Sequence, residues 1–185
     1  MGFLKTEEIN RIGFAMVGKN VLISDKATIY NASNITIGDN VRIDDFCVLS
    51  AGDGGIQIGS FIHIAVYTCL IGKGLIRLSD FCNISSRVSI YSSNDDYSGS
   101  FMTNPMVDSK FTNVKHEEVY IGKHVIIGSG CVILPGSELQ DGCGIGALSM
   151  VLGQIPKLEI YAGTPAKYIK KRKENIFEIE KQNFK

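Results

Sequence analysis

The chain has no tryptophan, four prolines and three histidines in 185 residues. Its five cysteines (Cys47, Cys69, Cys82, Cys131 and Cys143) are an odd number and include no CxxC pair. That count and spacing argue against a disulfide framework, and the lack of close Cys/His pairs argues against zinc. The thiols read as reduced, which fits a cytoplasmic protein. Charge of either sign is not in excess: nineteen basic residues balance nineteen acidic ones. A neutral chain has no electrostatic footprint for nucleic acid or an anionic membrane. No apolar run reaches the roughly 18 residues of a membrane span, and the N-terminus shows no apolar run of signal-peptide type. What is plentiful is aliphatic residues, within a hydrophobic fraction of 44%, and glycine, of which there are twenty.

Those residues are periodic. From Ile121 to Pro156 the sequence runs IGKHVI, IGSGCV, ILPGSE, LQDGCG, IGALSM, VLGQIP. Each block of six opens on Ile121, Ile127, Ile133, Leu139, Ile145 or Val151. A period of six fits neither a helix nor an alternating strand. It fits a chain that coils with three short flat sides per turn, the aliphatic residue pointing to the axis. Such a coil cannot bury its aliphatic residue alone, so coils must stack, pairing as parallel strands. Gly122, Gly128, Gly136, Gly142 and Gly146 read as corner residues, where left-handed backbone is needed.

The same period starts at Val17 and continues through Ile23, Ile29, Ile35, Ile43 and Leu49. It slips by three residues across AGDGG before Ile58, and by two across Gly72–Gly74 before Leu78. Residues 92–118 have no period; a long polar loop carrying aromatics inside a compact domain is usually functional. We expect it to leave the coil and pack on a neighbour. Residues 6–14 predict a short helix, capped by Thr6, over the open end of the first coil. Residues 166–185 predict an amphipathic helix with Tyr168, Ile169, Ile176, Phe177 and Ile179 on its apolar side. The domain is thus 1–165, with the helix 166–185 folded back on it.

The hexapeptide array followed by YAGTPAKYIKKR resembles the hexapeptide-repeat acetyltransferases over nearly the whole chain. The loop extruded before the last coils is similar to their galactoside and maltose acetyltransferase branch. HIAVY, ISSRVSIYSSNDDYSG and MTNP are most similar to bacterial enzymes that N-acetylate dTDP-4-amino-4,6-dideoxyhexoses for surface polysaccharide. The resemblance implies an all-β solenoid, a left-handed parallel β-helix, and a homotrimer with active sites between subunits. It implies acetyl-CoA as co-substrate, a nucleotide-linked sugar as partner and no metal. Carried over by position, Ser129 and Ala147 would meet the pantetheine arm, and Lys167 and Lys170 the nucleotide phosphates, their i, i+3 spacing placing both on one helix face. Ile126 stands where the family often has Trp.

Relatives that acetylate hydroxyls use a loop histidine as general base; at that place this chain has Asn94-Asp95-Asp96. A hydroxyl needs a strong base near pH 7, and carboxylates ordinarily titrate near 3.9. A neutral amine is already nucleophilic. The loss of His therefore tilts the reading to N-transfer, with Asp95 or Asp96 holding the sugar ammonium and Asn94 beside them. His63, within IGSFIHIAV, is the remaining candidate base; Tyr67 and Tyr97 are candidates to contact substrate. His116 is a weaker candidate and His124 reads as structural. Two alternatives stay open: a sugar O-acetyltransferase using His63, and a non-catalytic scaffold. A γ-class carbonic anhydrase relative would need three zinc histidines at a spacing absent here.

Overall fold

The computed structural model of the chain describes residues 2–184. The chain winds through three sheets, one strand of each per coil, in about seven coils. Each strand pairs in parallel with its equivalents one coil below and above. The fold is a left-handed parallel β-helix, as the six-residue period and the family resemblance together require.

The inward columns are nearly pure aliphatic. The first face carries Ile37, Ile58, Leu78, Ile121, Leu139 and Ile155. The second carries Ile23, Ile43, Ile64, Ile84, Ile127 and Ile145. The third carries Ile29, Leu49, Leu70, Ile90, Ile133 and Val151. All of these except Ile29 are at most 3% exposed. Like sits on like, so a one-residue slip would turn a whole column outward; this pins the register. Cys47, Cys82, Cys131 and Cys143 fill the gaps as buried free thiols. Burial pushes the thiol of Cys47 up to about 11 and those of Cys82 and Cys143 up to about 12.

The corners differ from expectation. The left-handed position between the first and second faces is held in successive coils by Asn20, Asn40, Phe61, Phe81, His124, Gly142 and Leu158. Between the second and third faces it is held by Phe46, Tyr67, Arg87, Gly130 and Leu148. Rings thus take a conformation that Gly or Asn was expected to take, because side chains stacked coil on coil offset a steric cost of about 1–2 kcal/mol. Of the five glycines read as corners, Gly136 and Gly142 are left-handed and the other three are not. Both register slips and the 92–118 loop lie on the remaining corner, from the third face to the first. Gly72 is needed there: its φ is 148°, and a Cβ would lie 2.2 Å from Ser92 Oγ.

The ends close the prism. Helix α1 (Thr6–Ile12) buries Ile9 against the first coil. Lys5, not Thr6, is its N-cap residue, and the Glu8 carboxylate accepts the Lys5 N–H at 2.7 Å. The C-terminal expectation of one helix over 166–185 is corrected. Lys167–Lys171 is a strand, antiparallel to Glu159–Ala162, and helix α2 spans only Asn175–Asn183. The last coil leaves an open edge of unpaired backbone groups, and the returning chain satisfies them by pairing. Tyr168 and Ile169 therefore belong to the strand. Arg172 then donates from Nη1 to the carbonyls of His124, Gly142 and Cys143 at 2.9, 3.1 and 3.3 Å. On α2, Glu180 accepts from Lys123 Nζ at 2.6 Å and meets His124 Nε2 at 2.7 Å.

Candidate active site

The edge between the second and third faces gathers the residues expected to hold coenzyme A. Ser129 and Ala147 are exposed there in adjacent coils, joined by a Leu148 N–H bond to the Ser129 carbonyl at 2.9 Å. Lys167 pairs with Ala162 at the top of this edge, and Lys170 with Ile160 one step along the second face. Residues three apart on a regular strand point to opposite sides. A register shift between Ile160 and Tyr161 leaves Ile169 without a partner, so both lysines share the outward side of Ile160 and Ala162. The expected common side is present, produced by a bulged strand instead of a helix. Ile126, Gly144 and Ile160 form the outward column below Lys170 and give it a smooth, apolar wall. The amides of Ser86, Ser129 and Ala147 find no backbone acceptor among the described residues, so they are available to an incoming oxygen.

Three coils below Ala147, His63 projects from the same second face between Arg42 and Asn83. Its Nε2 lies 2.8 Å from Asp44 Oδ2, and Arg42 Nε donates to Asp44 Oδ1 at 2.7 Å. Burial raises the Asp44 carboxyl, but hydrogen bonds and charge from His63 and Arg42 outweigh it and hold the group below its ordinary range. Tyr67 is stacked on Phe46 at the adjoining corner, half exposed.

The extruded loop leaves the opposite corner. Its neck is an antiparallel pair, Ser93 opposite His116 and Asn94 opposite Lys115, fastened by Ser93 Oγ and His116 Nδ1 at 2.8 Å. Asp96 holds the loop together: it accepts from the Ser98 N–H and hydroxyl, and from Asn113 Nδ2 at 3.1 Å. Those Ser98 bonds hold its carboxyl below the ordinary range. Asp95 is different. It is exposed, and its carboxylate makes no hydrogen bond or ion pair among the described residues. Tyr97 is 87% exposed, and Phe101, Met102, Met106 and Phe111 also face solvent on this loop.

Within one chain, then, Ser129, Ala147, Lys167 and Lys170 come together, with His63 and Tyr67 further down the same side. Asn94, Asp95, Asp96 and Tyr97 do not join them, because their loop leaves a different corner and its bonds are made within itself. His124 is structural, stacked on Phe81 and bonded to Glu180. The side of His63 and Tyr67 also carries Arg42, Asp44, Phe46, Ser86 and Arg87, which the sequence alone does not single out. The repeat itself carried the signal: Phe46, Tyr67 and Arg87 occupy one place in successive coils. No group of three or more metal-ligating side chains occurs among the described residues. No helix of the described chain is long and apolar enough to cross a membrane.

No protein-family model matches the chain. It is 53% identical over 180 residues to dTDP-4-amino-4,6-dideoxy-D-glucose acyltransferase of Escherichia coli, covering 97% of this chain and 94% of that one. AntD, an N-acyltransferase from Bacillus cereus solved with dTDP and 3-hydroxybutyryl-CoA, superposes with a TM-score of 0.92 at 48% identity, over 97% of this chain and 95% of that one. A maltose O-acetyltransferase from Clostridium difficile shares the fold alone, at 21% identity, TM-score 0.58, and 91% and 75% coverage. A likeness of this strength along the whole prism has one reading: the chain belongs to the hexapeptide-repeat acyltransferases, in the group of the dTDP-4-amino-4,6-dideoxy-D-glucose acyltransferases.

Proposed function

We propose that this chain transfers an acyl group from coenzyme A to the amine of a dTDP-linked 4-amino-4,6-dideoxyhexose, a precursor of surface polysaccharide. The observation that favours amine over hydroxyl is Asp95: the extruded loop presents a free carboxylate, and its one imidazole, His116, is tied to Ser93 at the neck. AntD has been solved with dTDP-4-amino-4,6-dideoxyglucose and coenzyme A bound to a serine variant, and separately as variants of an aspartate ten positions further on. Ser85 with Asp95 and Ser86 with Asp96 both keep that separation here, and of the two carboxylates only Asp95 is free of bonds within the loop.

Lys167 and Lys170 hold the donor phosphates, and the pantetheine arm runs down the edge past Ala147 and Ser129. Asp95 holds the sugar ammonium and takes up its proton. The amine nitrogen then attacks the thioester carbonyl, a C–N bond forms, and the oxyanion is met by corner amides such as those of Ser86 and Ser129. The C–S bond breaks, the attacking nitrogen gives its second proton to the leaving sulfur, and coenzyme A departs as its thiol. Most of the acceleration is positioning, since the nucleophile needs no strong base.

The loop that carries Asp95 leaves the corner between the third and first faces, whereas the donor edge lies between the second and third. We therefore also propose the homotrimer, in which the loop of one copy reaches the edge of the next. The exposed Phe101, Met102, Met106 and Phe111 supply the apolar surface for that contact.

Thiol release from acetyl-CoA, and then from 3-hydroxybutyryl-CoA, with dTDP-4-amino-4,6-dideoxyglucose as acceptor is the direct test. Transfer to this amine is expected, and Asp95→Asn should lower kcat/KM at least a hundredfold. Turnover with hydroxyl acceptors and none with amines would overturn the proposal. The Asp44–His63 pair favours a second reading, O-transfer with His63 as base. His63→Asn decides between them: general-base loss costs about 10²–10⁴ in kcat, whereas N-transfer predicts less than tenfold.

A further inference from the structure

The even charge of the whole chain hides an uneven distribution. Residues 157–173 hold six cations (Lys157, Lys167, Lys170, Lys171, Arg172 and Lys173) against one carboxylate, Glu159, a net charge of +5. The rest of the chain holds the other thirteen cations and eighteen carboxylates, a net charge of −5.

The fold carries that basic segment to one end of the prism. The strand Lys167–Lys171 is the last of its sheet, with no strand beyond it. Lys167 and Lys170 face outward with Ala162 and Ile160. Tyr168 and Lys171 pair with Tyr161 and Glu159 and so take the axial side, over the end of the last coil. There Lys157 and Lys173 join Lys171 around an open cleft of about 640 Å³, which also holds Glu159 and Glu174. All three lysines are exposed, and none has a carboxylate within ion-pair distance among the described residues. Lys157 Nζ lies 4.8 Å from the Phe177 centroid, a contact that leaves its charge unpaired. Between these cations Tyr168 and Ile169 are 51% and 56% exposed.

We infer that this end of the prism docks on an anionic lipid bilayer, with Lys157, Lys171 and Lys173 against the headgroup phosphates. Clustered lysines are drawn to a negatively charged leaflet. A ring and an aliphatic side chain set among them suit the boundary between headgroup and acyl chain, which nucleic acid does not offer. The remainder of the chain is net acidic and is repelled by the same leaflet, so the prism stands on its end and does not lie flat. The proposed homotrimer strengthens the contact. Each loop leaves its own prism in the coil of Ser86 and serves the level of Ser86 and Ser129 on the next copy, so the prisms stand side by side and their basic ends share one plane. Three weak contacts then act as one. The donor edges run away from that plane, so a docked enzyme keeps its substrates' access.

Co-sedimentation of the full-length protein with vesicles tests this, using phosphatidylcholine alone and phosphatidylcholine mixed equally with phosphatidylglycerol. At low salt the anionic vesicles should carry down at least tenfold more protein than the neutral ones, and about 0.5 M salt should remove the difference. The triple variant Lys157→Gln/Lys171→Gln/Lys173→Gln should bind anionic vesicles at least tenfold more weakly. Its KM for acetyl-CoA should stay within twofold of wild type, since none of the three lysines is on the donor edge. The inference is overturned if wild-type protein does not distinguish the two vesicles, or if the triple variant binds the anionic ones as wild type does. A tenfold rise of KM in the triple variant would give these lysines to the acyl donor, and equal retention of duplex DNA would make the end a general polyanion surface; either result overturns the lipid assignment.

Discussion

Arg172→Met tests how the tail serves the donor edge. Methionine keeps the apolar stem and removes the guanidinium, whose Nη1 lies 2.9–3.3 Å from three carbonyls. One of them, Cys143 O, also accepts from Ile126 N–H, so it stays satisfied. His124 O and Gly142 O lose their donor. An orphaned buried acceptor costs about 1–3 kcal/mol. Arg172 is only half-buried, so water can partly replace it, which brings the pair to about 2 kcal/mol. For a chain of this length that is a fall of about 4–8 °C in Tm. A local effect accompanies it. Arg172 follows directly on the strand that displays Lys167 and Lys170, so freeing it loosens both lysines. Scanning calorimetry and hydrogen exchange of residues 167–183 read the first effect. Steady-state kinetics read the second, as a raised KM for the acyl donor with kcat unchanged. A Tm within 1 °C of wild type together with an unchanged KM would refute this account of the tail.

Two more outcomes follow from buried titratable groups. Asp44 is held below its ordinary value in the folded chain, so it contributes stability above its unfolded pKa and loses that contribution as pH falls through the lower, folded value. Asp44→Asn should therefore be less stable than wild type at pH 7, with the gap closing below about pH 4; an equal gap at pH 3 and pH 7 would contradict the pairing with His63 and Arg42. Cys47, Cys82 and Cys143 should resist alkylation at pH 8 in the native protein, leaving the half-buried Cys69 to react first. Mass spectrometry after iodoacetamide checks the order, and early labelling of Cys82 would show that the core opens.

The fold was readable because the hexapeptide is a packing rule, not a propensity. Every Ile, Leu or Val expected at the axis beyond the first coil is in an inward column, and even the two slips were visible, since each adds residues only at a corner. The tail was misread for a reason of the same kind. Tyr168 and Ile169 fit a helical stripe, but the open edge of the last coil is a tertiary feature that no local pattern reports. The grouping of Ser129, Ala147, Lys167 and Lys170 along one edge was expected from the resemblance, and the fold brings the four together. The lower half of the edge was not, because Asp44, Phe46 and Arg87 gain meaning only when coils of 20 and 21 residues bring them into line with His63 and Tyr67. Asp95 and Asp96 are neighbours of one chemistry in sequence; only the geometry of Ser98 and Asn113 separates the tethered carboxylate from the free one.

A stack of identical steps is also a ruler. The number of coils between Lys167 and Ser86 fixes how far a donor anchored by its phosphates can extend, in increments of about 4.8 Å. Excising residues 121–138, one coil in the register that pairs Tyr120 with Glu138, would keep every aliphatic column continuous and shorten that span by one graduation. The excised coil also carries Ser129, so coenzyme A should be held on Lys167, Lys170 and Ala147 more weakly than in wild type; turnover lost even at saturating acyl donor is the result expected if donor length is measured by counting coils, and undiminished turnover would show that it is not.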